Sequence, residues 1–277
     1  MKNGVLTLRF DDIKVGWEQW FLLSSDRHHD SMFCKRDLEK QHLEKAKERD
    51  ALILDGGDLF DAMQGKFDPR RSLDELRPEF RTGKYYDAIL DDAVEFYKPY
   101  AKNFVMIGRG NHETAVAKNV NIDLIDRLVH DLNRSGGNVH SGGYGGWIRM
   151  LFTINTTVRR CKKLKYYHGN GGDAPVTHGV IQTNRQAMHL VDADVVMNGH
   201  NHNAYWVPIA SEGLTEKGFV YKRLTHFIRT PGYKDGWFKR EGFDVEKFNG
   251  PKPVGAMWMT IRYMRDDVEI EFTPMVQ

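Results

Sequence analysis

Five short stretches carry the side chains that could do chemistry. They are Asp26-Arg27-His28, Gly57-Asp58-Leu59-Phe60-Asp61, Gly110-Asn111-His112-Glu113, His168-Gly169 and Gly199-His200-Asn201-His202. Carboxylates, imidazoles and an amide oxygen suit divalent transition metals such as Mn²⁺, Fe or Zn²⁺, and a set without thiolates disfavours a structural zinc cluster. An Asp-x-His alone is weak, because an acid and a histidine two apart are common by chance. All five blocks in this order are not.

Each block follows a short apolar run that reads as a strand. Phe21-Leu22-Leu23 delivers the first block, Ala51–Leu54 the second, Phe104–Ile107 the third, Lys163–Tyr167 the fourth and Asp194–Met197 the fifth. Runs without alternation are those of strands buried on both faces. Helical periodicity spans 35–49 and Tyr85–Tyr97, and a third helix carries Ile122, Ile125, Val129 and Leu132 on one side. A helix capped by Asp173 is expected to continue to about Leu190. Strand, helix and strand within about thirty residues is a βαβ signature, and the second half is richer in strands. The expected fold class is therefore α/β, with two mixed β-sheets packed face to face and helices outside. In such layers ligands gather at the carboxyl ends of the strands, which is where all five blocks begin.

The 277 residues read as a single domain over 1–277, with the motif core at about 22–202 and strands in 203–277 completing the second sheet. Hydrophobic residues at 40% and charged residues at 28% fit a globular protein with a substantial core. A net charge of +2 demands no polyanionic partner, although local basic patches are compatible with it. The start lacks a signal-peptide apolar region, no run approaches a membrane span, and Cys34 and Cys161 stand far apart, so a cytoplasmic protein without membrane association is expected.

The five blocks resemble those of the calcineurin-like metallophosphoesterase superfamily, from about Leu22 to His202. The resemblance implies a four-layer-type sandwich and two metal ions, most simply Mn, with Fe, Zn, Ni or Co able to accept the same ligands. It implies that Asp58 bridges the pair, that Asp26, His28 and His202 complete one metal's ligands, and that Asn111, His168 and His200 complete the other's. Two metals about 3.5–4 Å apart can acidify a bridging water and clamp phosphoryl oxygens. The implied reaction is in-line attack of a metal-bridging hydroxide on a phosphodiester, with His112 as general acid rather than ligand.

Several neighbours compete for these places. His29 adjoins His28, but alternation lets only one face the metal, and His29 is expected in the layer around the ligands or at the surface. His178 also precedes a glycine, yet it falls within the expected helix, which favours His168. Asp30 reads as a solvated loop acid, and Asp61 and Glu113 as acids that hydrogen-bond around the ligands. Arg27 and Arg109 lie beside the blocks and are candidates for binding substrate phosphate.

The Gly-Asp-Leu-Phe-Asp form of the second block resembles the double-strand-break repair nucleases of the superfamily, which makes nucleic acid a candidate substrate. Two basic stretches could meet it: Arg70, Arg71, Arg77, Arg81 and Lys84, and then Arg229, Tyr233, Lys234, Trp237, Phe238, Lys239 and Arg240. Solvated surface loops are the plainer reading of both. The chain lacks the extension through which those nucleases dock a coiled-coil ATPase. The alternatives are a phosphomonoesterase acting on a protein or small nucleotide, and a non-catalytic metal-binding scaffold.

Overall fold

The computed structural model describes residues 4–64, 75–172, 176–237, 245, 250–265 and 267–277. Arg70, Arg71, Asp173, Phe238, Lys239 and Arg240 lie outside the described residues.

The first sheet contains β2 (Glu18–Ser24), β3 (Leu52–Asp55), β4 (Phe104–Ile107), β5 (His140–Ser141), β11 (Gly255–Tyr263) and β12 (Val268–Val276), in the order β12-β11-β2-β3-β4-β5. The second contains β1 (Val5–Phe10), β6 (Gly145–Thr153), β7 (Arg159–Tyr167), β8 (Val195–Asn198), β9 (Tyr205–Leu214) and β10 (Val220–Arg229), in the order β1-β6-β7-β8-β10-β9. Both are mixed, as expected. The strands of 203–277 do not all join the second sheet, contrary to expectation. The β9–β10 hairpin extends the second sheet, while β11 pairs antiparallel with β2 and brings β12 to the first.

Burial explains the apolar runs. Phe21 and Leu23 of β2 face the core between the sheets, while Leu22 faces the helices. That helix-side core gathers α1 (Arg36–Glu48), α2 (Tyr85–Tyr97) and α4 (Leu124–Arg134) against Ile53, Phe104 and Trp258. The first sheet is thus covered on both faces. On the outer face of the second sheet α5 (Val180–Ala187) covers β8 and β10, where its Ala187 packs with Val196 and Phe227.

Two helix expectations change. The segment after the third block forms two helices, α3 (Asn111–Val120) and α4, because Asn121 takes the left-handed conformation at φ 55° and ends the first. Asp123 then caps the second by accepting from the Asp126 N–H at 2.9 Å. The helix expected from Asp173 to Leu190 is only α5, and His178 lies in the turn before it. Among the described residues no helix is long and apolar enough to cross a membrane.

Candidate metal centre

The five strands β2, β3, β4, β7 and β8 end directly before the five blocks and bring them together. Asp26, His28 and His202 form one group whose ligand atoms lie within 4.8 Å of one another, and Asp58, His168 and His200 form another. Asn111 joins the second, its Oδ1 2.8 Å from His200 Nδ1 and 3.2 Å from His168 Nε2. Asp58 Oδ2 lies 3.1 Å from His168 Nε2. The two groups touch where Asp26 Oδ1 lies 3.5 Å from His202 Nε2 and 4.0 Å from His168 Nε2.

The donor set fits divalent metals. Asp26 Oδ2 accepts from the His200 N–H at 2.8 Å and from Ser25 Oγ, but Asp26 Oδ1 is buried with no hydrogen-bond partner. A buried carboxylate oxygen left unpaired is costly. The Nε2 atoms of His28 and His202 face each other at 3.1 Å, an approach that suits two lone pairs converging on a cation. His168 directs Nδ1 to the Gly56 carbonyl at 3.1 Å, which leaves Nε2 for the cluster. His28 Nδ1 lies 2.7 Å from Asp61 Oδ1, which leaves Nε2 for the cluster.

A third group, His28, Asp61 and His112, is equally compact. Since the His28 atom that faces Asp61 is Nδ1, its Nε2 stays with His202 and Asp26. His112 places Nδ1 against the Asp61 carbonyl oxygen and Nε2 3.7 Å from Asp58 Oδ2, beside the cluster.

The electrostatics follow from burial and from these pairings. Although burial opposes it, His168 and His112 hold Asp58 well below the usual carboxylate range. Burial likewise opposes charge on His168, yet Asp58 and Asp26 hold it up to about 10. Burial draws His202 down to about 3, which keeps its imidazole neutral and able to ligate. Glu113 is pushed up to about 8 by burial and then by Asp58.

The loops carrying the ligands are tightly constrained. Asp26, His28, Asp58, His200 and His202 all have φ between 47° and 77°, a region uncommon for residues other than glycine and concentrated at functional sites. Gly110 can be nothing larger, because a Cβ there would collide with the Asp58 carboxylate. A Cβ at Gly199 would likewise strike Ser25 and Asp26.

Other expectations are revised. Arg27 is not on the cluster. It is wholly buried, with Nε 2.5 Å from Asp55 and Nη1 2.5 Å from Glu39. Arg109 is committed to Asp123 at 2.7 Å and Asp126 at 2.8 Å. His29 is buried rather than superficial, 2.7 Å from Asp92. Asp30 is buried too, accepting from the N–H groups of Asp61 and Ala62 and from the Tyr85 hydroxyl.

The second basic stretch turns inward where it is described. Tyr233 is buried against Arg27, and Lys234 lies 3.2 Å from Asp61 and 2.8 Å from Glu75. Arg229 is wholly buried and donates to the Gly199 carbonyl at 3.1 Å, so it braces the last ligand loop. The sequence reading missed this role, and its only signal was an arginine at the end of a strand beside β8.

The paired clusters stand at the carboxyl ends of strands in a two-sheet sandwich, where the five sequence blocks lead them to be expected. No protein-family model and no curated protein matches the sequence. Among solved structures, the chain is similar to a conserved Streptococcus pneumoniae TIGR4 protein described as a predicted phosphoesterase, at 11% identity over 92% of this chain and 89% of that one, TM-score 0.32. It is also similar to vacuolar protein sorting 29 of Cryptosporidium parvum, at 11% identity over 94% and 100%, TM-score 0.41. A third is Vps29 of Entamoeba histolytica complexed with zinc, at 9% identity over 92% and 98%, TM-score 0.38. At these identities the likeness is one of fold alone.

Proposed function

We propose that this chain is a dinuclear metal-dependent phosphodiesterase, with Asp26, His28, Asp58 and His202 around one ion and Asp58, Asn111, His168 and His200 around the other. The observation that carries the reading is the convergence of these seven residues from five strand ends, with Asp26 Oδ1 buried and without a hydrogen-bond partner. When bound, the metals supply an acidified water and a clamp for phosphoryl oxygens. Mn²⁺ is the proposed ion, as the donor set is nitrogen and oxygen only.

The chain's own groups do the rest. His112 is the general acid: its Nδ1 is engaged by the Asp61 carbonyl, and Nε2 is turned to the cluster, where it protonates the leaving oxygen. Asp61 orients His28, and Gly56 orients His168. DNA is the proposed substrate, on the likeness of the Gly-Asp-Leu-Phe-Asp block to repair nucleases. Two free cysteines, Cys161 exposed, support a reducing cytoplasmic setting.

The test compares hydrolysis of bis-p-nitrophenyl phosphate, p-nitrophenyl phosphate and labelled single- and double-stranded DNA by protein stripped of metal and reloaded with Mn²⁺. Diester and DNA cleavage above monoester turnover, lost in chelator and in Asp58→Asn, is expected. Full activity in chelator refutes the two-metal reading, and preferred monoester turnover makes the protein a phosphomonoesterase. Silence on every substrate with two metals bound refutes DNA as the substrate and points to a narrower phosphoester.

A further inference from the structure

Three adjacent strands of the second sheet, β1, β6 and β7, hold seven lysines and arginines and no aspartate or glutamate, in a chain whose net charge is only +2. Leu6, Ile148, Met150, Phe152, Leu164 and Tyr166 face the core between the sheets. Alternation therefore turns Arg9, Trp147, Arg149, Arg159, Lys165 and Tyr167 to the opposite face. Register sets them in rows, with Val5 beside Trp147 beside Lys165, Thr7 beside Arg149 beside Lys163, and Arg9 beside Leu151 beside Cys161. Arg9, Arg149 and Arg159 are exposed.

The cations on this face are not neutralised. Lys163 is the exception, 2.6 Å from Asp192. Arg149 donates to the Thr7 hydroxyl at 3.2 Å, and Lys165 Nζ stands 5.5 Å from the centre of the Trp147 ring. Among the described residues, none of Arg9, Arg149, Arg159 and Lys165 meets a carboxylate. The face also leads to the metal centre, because β7 runs from Arg159 through Lys165 to Tyr167, next to His168. There the Tyr144 ring packs on Tyr167 at 5.5 Å and on His168 at 5.3 Å.

We propose that this face of β1, β6 and β7 binds a single-stranded nucleic acid and leads it to the cluster. Its cations Arg9, Arg149, Arg159 and Lys165 complement a phosphate backbone, and Tyr144 and Tyr167 at its end by the cluster offer rings on which bases stack. An anionic membrane surface would use the same cations but not the line of rings that ends at a ligand of the cluster. The proposal deepens the phosphodiesterase reading and rests on it for the choice of polymer.

The experiment measures fluorescence anisotropy of a labelled single-stranded oligonucleotide against the full chain in chelator, across a salt series. Four phosphate contacts should give a slope of log K on log salt of about −3. The triple variant Arg9→Ser/Arg149→Ser/Arg159→Ser should bind at least about tenfold more weakly, with the slope reduced to about −1. Its circular dichroism spectrum and its hydrolysis of bis-p-nitrophenyl phosphate should match the parent's. An unchanged affinity and slope in the variant overturns the proposal. So does tighter binding of duplex than of single strand, or capture of anionic vesicles without oligonucleotide binding. Failure of the phosphodiesterase reading shows separately, as no diester hydrolysis by the Mn-loaded protein while variant-sensitive binding in chelator persists.

Discussion

Replacing Arg27 with methionine removes the charge at the centre of a fully buried ion network. The side chains of Arg27, Glu39 and Asp55 have no exposed surface. Arg27 Nη2 also donates to Ser24 Oγ at 2.7 Å, and the rings of Tyr97, Phe104 and Tyr233 surround the guanidinium, each with its centre 5.5 Å away. Methionine fills much of the stem's volume but leaves two carboxylates buried without a counter-charge. Breaking such a group costs about 3–5 kcal/mol, a large share of a stability of roughly 5–15 kcal/mol. Burial already raises Asp55 against the pull of Arg27, so without the arginine this acid should rise further. A carboxylate raised above its unfolded value stabilises the fold at low pH and loses that contribution as pH rises. The deficit of Arg27→Met should therefore be smallest near pH 5 and grow toward pH 8, by up to about 1.4 kcal/mol per pH unit while Asp55 remains protonated only in the folded state. Urea unfolding in chelator at pH 5, 6.5 and 8 measures it. Adding Glu39→Gln and Asp55→Asn should remove the pH-dependent part. A deficit below about 1 kcal/mol at pH 8, or one that does not change with pH, would refute the argument.

Three further outcomes are expected. His112→Ala should keep both metals by elemental analysis and lower turnover by about 10²–10⁴-fold; loss of metal instead would make His112 a ligand. Mn²⁺ should raise the unfolding temperature more strongly at pH 8 than at pH 6 and release a proton on binding at either pH, because His168, held up to about 10 by Asp58 against its burial, must lose its proton to ligate. His42 is drawn down to about 4 by burial and by Lys45, so its contribution is complete above its ordinary value of 6.5 and is lost as pH falls toward 4. His42→Gln should flatten that part of the acid-unfolding curve by about 1–2 kcal/mol, and an unchanged curve would count against it.

The position and length of apolar runs make most strands legible, and the ligand blocks stand out because each follows such a run. Less visible was the partner of each charged side chain. Arg27 sits between two proposed ligands and reads as a phosphate binder, yet its acids come from β3 and α1, which only the folded chain brings beside it. Asp30 reads as a surface residue, and the place of His29 stays open, because their partners, Tyr85 and Asp92, lie more than fifty positions away. The basic face of the second sheet was hidden for a related reason. Arg9, Arg149 and Arg159 are scattered in sequence, and it is the parallel β1–β6 and antiparallel β6–β7 pairings that align them.

The acids that hold no metal in this arrangement explain how the ligand loops are kept in place. Five proposed ligands adopt positive φ, and each such residue costs on the order of 1–3 kcal/mol unless its surroundings fix it. Glu113 accepts from the N–H groups of Asp58, Phe60 and Gly110, tying the second loop to the third. Asp55 accepts from the Gly57 N–H at 3.0 Å, and Asp30 draws in the far end of the same loop through Asp61 and Ala62. Arg229 holds the Gly199 carbonyl on the opposite side. These groups point at backbone rather than at the cluster, so they set where Asp58, Asn111, His200 and His202 stand before any cation arrives. The same burial that makes them effective hinges raises Glu113 to about 8, with Asp58 adding to it. The carboxylates divide by what they face: Asp26 and Asp58 face the cluster, and Asp30, Asp55 and Glu113 face the chain that carries it.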